Sequence, residues 1–486
     1  PPIFHAEAGI RDCVSCLVGS EMCIRDRCSP SRASIAAGRN HHNIGMGSHS
    51  LTAMGFPGYN AHPPDSAKGY GEILKRAGYS TMFLGKWDHT PQWESIFAGP
   101  FDRWPSGDGW EHFYGFMSGD MNNFNPIMWM DHTPMQPNYD APGYHVNEDL
   151  ADTAIRWISM LRASAHKKPF NMFWATGAVH APHQAPREWI ERFKGKFDMG
   201  YDEAREVILA NQIEMGIVPP GTKLSPRDPE IPAWDTLNDH EKALYARQME
   251  AFAGQLAYSD YEFGRILDYL ERIGELDNTL VLFTSDNGAS GEGGLHGTFN
   301  ENGFFNGVSN MPNEFNNQYI NEWGNRVGVW HVTAGWTMAG NTPFKYYKQS
   351  AHRGGNADPL VLSWPAGIPE QFHGQIRSQY SHIIDIAPTI LEATGVEAPK
   401  VIDGHEQMPF DGIALNYTFE NPDAPAKRTV QYYELFGNRA IYADGWTAVT
   451  LHRNKRPWVL TAEGTLDDDV WELYNLAEDF SQSTDV

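Results

Sequence analysis

The sequence predicts an α/β fold that is followed by a small antiparallel domain. Buried apolar strands are predicted at residues 81–84, 169–176, 279–285 and 359–364. Helical periodicity covers residues 67–77, 239–273 and 381–394, and each stretch ends at a glycine. This alternation is typical of a sheet with helices on both faces. The pattern then changes to short strands at residues 429–435, 440–442 and 446–452.

The chain is long enough for more than one structural unit. It has 486 residues, whereas a single hydrophobic core stops growing at about 250–300 residues. We therefore predict a large domain over residues 28–424 and a small antiparallel-sheet domain over residues 425–486. The second stops in mid-pattern at Val486, so we expect it to be truncated.

The charge balance limits the classes of partner. The chain carries 37 Lys and Arg against 61 Asp and Glu, a formal net charge of −24, which repels a nucleic-acid backbone. No run of about 18 apolar residues could span a bilayer. We therefore expect neither a nucleic-acid partner nor a membrane partner, and the sequence leaves the compartment open.

The cysteines are not expected to stabilise the fold, and the first residues are not expected to belong to it. All four cysteines lie between Cys13 and Cys28, so a disulfide framework is not expected. Cys13 and Cys16 form a lone C-x-x-C without a second ligand pair at metal spacing. The stretch 14–26 resembles translated sequencing-adapter read-through, so we expect residues 1–27 to be non-native and the chain to be a fragment.

A run of five residues predicts the chemistry of this protein. It is Cys28-Ser29-Pro30-Ser31-Arg32, and a helix of small residues and a glycine follow it. The run resembles the signature of type I sulfatases, the formylglycine-dependent arylsulfatase family of the alkaline-phosphatase-like superfamily. In that family a maturation enzyme oxidises the cysteine to formylglycine. The resemblance extends from Cys28 to the end of the chain, and later segments such as 381–391 and 471–476 share it.

The resemblance implies a fold, a reaction and a set of partners. The fold is a large mixed, mostly parallel sheet between helices, with a smaller C-terminal antiparallel α+β domain. The reaction is hydrolysis of an organic sulfate ester to an alcohol and sulfate, with the hydrated aldehyde as nucleophile. The expected partners are a small-molecule sulfate ester and the formylglycine-generating enzyme. No motif identifies the alcohol.

A divalent cation is expected beside the nucleophile. Asp286 and Asn287 resemble half of the family's metal site and would bind Ca²⁺, or Mg²⁺, together with the modified Cys28. The other half in the family is an Asp-Asp pair on the first strand. No such pair precedes Cys28 in this sequence, which agrees with the expectation of a fragment.

Cationic and imidazole groups are expected around the sulfate. Arg32 matches the arginine that holds the nucleophile, and Lys86, His180 and Lys348 match groups that contact the substrate. Lys86, His180 and Asp286 follow predicted strands, and ligands bind at the carboxyl ends of such strands. We therefore expect these groups to converge.

The sequence departs from the family at two positions. Asp88 stands where the family has the histidine that acts as base, and His89 follows one residue later. Either side chain could take the proton, so both are candidates. Arg353 replaces a glutamate that usually precedes the Gly-Gly pair, a change that we expect to alter substrate contacts.

Two other functions stay open at this point. One is hydrolysis of a phosphonate or phosphate ester, because relatives with the same signature act on phosphorus and tetrahedral anions need similar cations. The other is an inactive protein that keeps the fold. The missing Asp pair and Asp88 favour the latter slightly.

Overall fold

The computed structural model describes residues 16–23 and 27–486, the first of these segments through its backbone. Residues 1–15 and 24–26 lie outside the described residues. Cys13 of the lone C-x-x-C and most of the segment that we expect to be non-native therefore lie outside the described residues, whereas Cys16 is the first residue of a strand.

The described residues contain eleven α-helices and sixteen strands. The helices are α1 Cys28–Ala37, α2 Tyr70–Arg76, α3 Val146–Ser164, α4 Arg187–Glu191, α5 Gly200–Glu214, α6 Asp239–Arg272, α7 Asn302–Phe305, α8 Asn313–Asn317, α9 Ala334–Gly340, α10 Arg353–Asn356 and α11 Ile386–Thr394. The strands are β1 Cys16–Cys23, β2 Ser80–Lys86, β3 His112–Phe116, β4 Met128–Met130, β5 Thr133–Met135, β6 Phe170–Ala175, β7 Val281–Thr284, β8 Ala357–Ser363, β9 Ile376–Arg377, β10 Ser381–His382, β11 Val401–Ile402, β12 His405–Glu406, β13 Val430–Leu435, β14 Asn438–Ala443, β15 Trp446–Thr450 and β16 Trp471–Asn475.

The large domain is built on mixed β-structure. Strand β2 lies between β3 and β6 and runs parallel to both, while β4 and β5 extend this sheet as an antiparallel hairpin edge. In a second group, β8 runs antiparallel to both β1 and β7, and β1 pairs in parallel with β9 and β10. The predicted mixed sheet between helices is confirmed, with antiparallel pairing concentrated at β8 and at the hairpin edge.

The four predicted strands of the large domain and its longest helix lie where the periodicity places them. Helix α6 spans 34 residues. The Asn238 side chain accepts from two backbone N–H groups at its start, and Glu241 completes a capping box. Gly274 follows the helix with a φ of +73°, a left-handed conformation that glycine adopts without strain.

The predicted helix at residues 381–394 is the clearest difference from the sequence pattern. Its first two residues form β10, a single 3₁₀ turn follows, and α11 begins only at Ile386. The reason is the Asp385 carboxylate, which accepts from the backbone N–H of His382 at 2.8 Å and so holds a turn before the helix. Pro388 lies within the first turn of α11, where it requires no hydrogen-bond donor.

The small C-terminal domain is a four-stranded antiparallel sheet in the order β13-β14-β15-β16. Along β13 exposed residues alternate with buried ones, as expected for a strand with one face on a core. The predicted antiparallel domain is confirmed. Its fourth strand, β16, lies in a segment for which the periodicity predicts no strand.

No helix in the described part of the chain is both long enough and apolar enough to cross a bilayer.

Two domains are joined by a buried ion pair. The Asp385 carboxylate is 1% exposed and bonds the guanidinium of Arg428, which lies just before β13 and is 7% exposed. Burial raises the pKa of Asp385 although Arg428 acts in the opposite direction. A charge in such a place is stable only while its partner remains.

Removal of this partner should destabilise the protein strongly. We expect Arg428→Met to lower the free energy of unfolding by about 3–5 kcal/mol, because it strands a buried carboxylate. The matched control is Arg187→Met, which breaks an exposed pair with Glu191 in α4 and should cost less than about 1 kcal/mol. Urea denaturation followed by circular dichroism measures both, and equal effects would contradict the assignment.

Candidate active site

Cys28 is the first residue of α1, and its side chain is 2% exposed. Pro30 occupies the first turn, where its missing N–H is harmless, and small residues let the helix pack closely. Gly38 ends the helix with a φ of +63° and its N–H donates to Ser34. The Cys28 Sγ donates to Asn287 Oδ1 at 3.4 Å. The helix therefore presents Cys28 to the loop that follows β7.

Arg32 connects α1 to two strands. It lies one helical turn after Cys28, so the two side chains share a face of the helix. Its Nε donates to Asp286 Oδ2 at 2.6 Å, and its Nη1 donates to the Lys86 carbonyl at 2.8 Å. One guanidinium thus ties the helix to the ends of both β2 and β7.

The geometry of β2 explains how Lys86 enters the site. Gly85 has a φ of +98°, and a Cβ there would lie 1.9 Å from the Ala175 carbonyl of β6. Only glycine permits this close approach. Lys86 follows directly and is 2% exposed. Its Nζ lies 3.6 Å from Asp88 Oδ2.

Asp286 and Asn287 have the donor chemistry that a hard divalent cation requires. Burial raises the pKa of Asp286, but Arg32, Lys86 and Lys348 lower it by more, so the carboxylate stays ionised. Asp358 on β8 is a further carboxylate near Asp286, and its buried Oδ2 has no hydrogen-bond partner. Ca²⁺ takes about six to eight oxygen ligands. Asp286, Asn287 and Asp358 offer oxygen ligands of the type that such an ion binds. They supply part of its full number of ligands.

Asp88 is held between two cationic or hydrogen-bonding groups. Its Oδ1 lies 3.4 Å from His49 Nε2, and Lys86 faces its other oxygen. Burial raises the pKa of Asp88, but Lys86 and His49 outweigh it and hold the pKa far below the usual range. His49 Nδ1 accepts from the Leu51 N–H, so its Nε2 carries the proton and donates to Asp88.

The His89 side chain contacts Trp87. Its Nδ1 bonds the Trp87 carbonyl at 3.0 Å, and its ring lies 3.7 Å from the Trp87 ring. Burial lowers the pKa of His89 to about 3. Of the two candidate bases, only Asp88 contacts another predicted site residue through its side chain.

His180 and Lys348 form a second buried pair. Lys348 Nζ lies 3.2 Å from His180 Nε2 and 3.0 Å from Glu292 Oε2. His180 Nδ1 donates to the Ala181 carbonyl at 2.7 Å, which leaves a lone pair on Nε2 for Lys348. Burial, and then the charges of Lys348 and Lys86, lower the pKa of His180 to about 4. The imidazole is therefore neutral at pH 7.

A group of acids adjoins His180. In the described ranges, the residues with metal-type spacing are Asp120, His180 and Glu301, whose ligand atoms all lie within 4.8 Å of one another. Neither carboxylate oxygen of Glu301 has a hydrogen-bond partner. Burial, and then Glu292 and Asp120, raise the pKa of Glu301 well above its usual value.

The predicted residues thus form two connected sets. One set joins Cys28, Arg32, Lys86, Asp88, Asp286 and Asn287. The other joins His180 and Lys348, and the charges of Lys86 and Lys348 act on both His180 and Asp286. Arg353 lies elsewhere, between Phe344 and Phe480, so the expected effect on substrate contacts has no support in the contacts of Arg353.

Sequence reasoning missed four residues at this site. They are His49, Asp120, Glu292 and Glu301. None of them follows a predicted strand or belongs to a recognisable motif, because long loops bring them to the site. No feature of the sequence pattern identifies them.

The comparison with protein families identifies the family of this chain. A sequence model described as Sulfatase matches residues 21–396. The chain belongs to the sulfatase family. The match covers most of the large domain and includes both connected sets of residues.

Similar proteins agree with this membership. An uncharacterised sulfatase of Schizosaccharomyces pombe is 29% identical over 93% of this chain and 80% of its own length. An arylsulfatase of Klebsiella aerogenes is 27% identical over 84% of each chain. A sulfatase structure from Pseudoalteromonas sp. is 16% identical, with a TM-score of 0.59, and covers 98% of this chain and 79% of its own. Family membership supports sulfate ester hydrolysis as the reaction of this sulfatase.

The state of His180 can be tested directly. An NMR pH titration of the histidine-labelled protein, with His180 assigned by His180→Gln, should show the imidazole titrating near pH 4. Since the unfolded chain titrates near 6.5, this difference contributes stability above that pH, and the contribution is lost as the pH falls from about 6.5 to 4. Lys348→Met should move the pKa of His180 upward.

Lys345→Met is the control for this titration. Lys345 bonds Glu472 and Tyr474 and does not contact His180, so its replacement should leave the titration unchanged. Titration of His180 at its ordinary pKa in the unaltered protein would contradict the buried neutral state.

Proposed function

We propose that this sulfatase hydrolyses an organic sulfate ester to an alcohol and sulfate, with a formylglycine made from Cys28 as the nucleophile. The observation that carries the proposal is the position of Cys28. It begins a helix, contacts Asn287, and lies one turn from Arg32, which binds Asp286 and the Lys86 carbonyl. A thiol that stayed unmodified would not need the carboxylate of Asp286 and the amide oxygen of Asn287 beside it.

The maturation step explains the choice of residue. A separate formylglycine-generating enzyme would oxidise Cys28, and the hydrated aldehyde supplies one hydroxyl for attack at sulfur and a second whose deprotonation expels the sulfate. Arg32 holds the position of residue 28 relative to β2 and β7. The positive end of the helix dipole also favours negative charge at residue 28.

Asp286 and Asn287 would hold a divalent cation next to residue 28. Ca²⁺ is our first assignment and Mg²⁺ the alternative, because both prefer oxygen ligands. Such an ion lowers the pKa of a bound hydroxyl and stabilises developing negative charge. Arg32 already keeps the Asp286 carboxylate ionised, which is the state that binds a cation.

Lys86 and Lys348 would bind the sulfate oxygens. Both ammonium groups are buried, at 2% exposure each, where a charge-assisted hydrogen bond is strong. In the structure Asp88 and Glu292 neutralise them. The sulfate would therefore meet two cations that are already in position. When no sulfate is bound, the two carboxylates leave no net positive charge buried.

The side chains around the two lysines would donate and accept the protons of the reaction. The hydrogen-bonded pair of Lys348 and His180 would give a proton to the leaving alkoxide, with Lys348 as the group that carries it in the resting state. Asp88 would accept the proton from the second hydroxyl. Its low pKa makes it a weak base, so Lys86 must shift from Asp88 towards the sulfate as the substrate binds.

The substrate class is tested with the matured enzyme. We expect turnover of an aryl sulfate to exceed turnover of a phosphonate monoester by at least about 100-fold in kcat/KM, and Cys28→Ala to abolish the activity. Preference for the phosphonate would replace the proposed reaction with the alternative of the same superfamily.

Peptide mass spectrometry on residue 28 is the control for that experiment. Active protein should carry the aldehyde, and protein made without the maturation enzyme should carry cysteine and be inactive. An unmodified cysteine in active protein would refute the nucleophile. If residue 28 carries the aldehyde but the protein turns over neither ester, the result would favour the alternative of an inactive protein that keeps the fold.

The base is tested by a pair of variants. We expect Asp88→Asn to lower kcat by about 100-fold or more, because it removes the proton acceptor but keeps the shape. His89→Phe should change kcat by less than about threefold, since His89 contacts the Trp87 backbone and ring and no other site residue. Steady-state kinetics on the aryl sulfate measures both, and the opposite order would make His89 the base.

A further inference from the structure

Glu301 is a buried acid that the fold leaves without a partner. It lies immediately before α7 and is 1% exposed. In the part of the chain that the structure describes, neither of its carboxylate oxygens has a hydrogen-bond partner, and His331 Nε2 is 3.9 Å away. A proton on the carboxyl would not satisfy the group, because the O–H would then have no acceptor. Buried carboxylates otherwise pair with a cation or bind a metal ion.

Two further ligand groups converge on Glu301. The ligand atoms of Asp120, His180 and Glu301 all lie within 4.8 Å of one another. Strands β3 and β6 both run parallel to β2, so Asp120, four residues after β3, and His180, five residues after β6, leave the sheet at the same edge. Asp120 and His180 are partly exposed, which gives an ion a path from solvent.

The charges around this group favour a divalent cation. Lys348 and Lys86 are the cations whose charges act on His180, and Glu292 and Asp88 already pair with them. Among the described residues, neither Asp120 nor Glu301 lies within ion-pair distance of a lysine or arginine side chain. Two carboxylates therefore remain to balance a divalent ion.

The ligand types select a transition-metal ion. One imidazole nitrogen with two carboxylate oxygens suits Zn²⁺, whereas Ca²⁺ and Mg²⁺ prefer oxygen ligands alone. Each of the three ligand atoms would move inward by less than about 1 Å to reach the ~2.0–2.2 Å of zinc–ligand bonds, and water would complete a tetrahedral site. We propose that Asp120, His180 and Glu301 form an inhibitory zinc site, distinct from the proposed cation site at Asp286 and Asn287.

The position of Lys348 explains why zinc would inhibit. His180 Nδ1 donates to the Ala181 carbonyl, so Nε2 is its ligand atom, and Lys348 Nζ contacts that nitrogen at 3.2 Å. A zinc ion on Nε2 displaces Lys348, which keeps its contact with Glu292. The inhibition rests on the proposed function, in which the pair of Lys348 and His180 gives a proton to the leaving alkoxide. The binding of zinc does not rest on it.

The direct test is anomalous diffraction at the zinc edge. Crystals of the full chain, grown with excess Ca²⁺ and soaked in Zn²⁺, should show a zinc ion between Asp120, His180 and Glu301. Zinc only at Asp286 and Asn287, only at cysteines, or nowhere would overturn the proposal. Because the experiment requires no turnover, it decides the site even if the proposed reaction fails.

Calorimetry in excess Ca²⁺ measures the contribution of each ligand. Asp120→Asn and Glu301→Gln should each weaken zinc binding at this site by at least about tenfold, since loss of even an outer-shell partner typically costs 10–100-fold. Asp235→Asn is the matched control, because Asp235 is exposed and lies outside the group. A zinc titration that is unaltered in Asp120→Asn would overturn the proposal. That variant also decides alone if Glu301→Gln does not fold, because Asp120 is partly exposed.

The inhibitory role is measured on the matured enzyme. Zinc should inhibit turnover of an aryl sulfate in excess Ca²⁺. Relative to its own zinc-free rate, Asp120→Asn should need at least about tenfold more zinc for half-inhibition, and Asp235→Asn should need the same amount as the unaltered enzyme. Equal sensitivity of Asp120→Asn, or zinc bound at the three side chains without inhibition, would overturn the proposal.

Discussion

The hydrogen bonds of the Arg32 guanidinium hold the candidate site together. They join α1, which carries Cys28, to the ends of β2 and β7, which are more than 190 residues apart in the chain. Asp286 is ionised because this cation is present, and Lys86 is oriented because its own carbonyl accepts from the same group. Loss of this one contact would separate Cys28, the proposed nucleophile, from the cationic groups and from Asp286, the proposed metal ligand.

Charge compensation is the second constraint on this sulfatase. The chain is acidic overall, yet it buries Lys86 and Lys348, the two lysines that we propose bind the sulfate. Asp88 and Glu292 pair with these lysines in the structure, which explains why several acids surround the proposed anion site.

The sequence predicted the regular parts of the fold well. Apolar runs and glycine stops placed the main strands and α6 to within a few residues, because a strand such as β2, which is buried along its whole length, leaves a continuous apolar signal. The start of α11 was misplaced, since the carboxylate of Asp385 controls it through backbone contacts. Strand β16 pairs with β15 across a loop of about 20 residues, and the mixed direction at β8 depends on β1, more than 300 residues away in the chain. No local pattern records either pairing.

The sequence alone determined the reaction class, because the Cys28 motif and the residues after β2 and β7 have a recognisable order along the chain. It also identified Asp88 as the departure from the family. Only the tertiary structure decided how these groups are paired: His89 faces Trp87, His180 is neutral beside Lys348, and His49 supports Asp88. The physical reason is that protonation state and orientation depend on burial and on neighbours from distant loops, and these are properties of the folded chain.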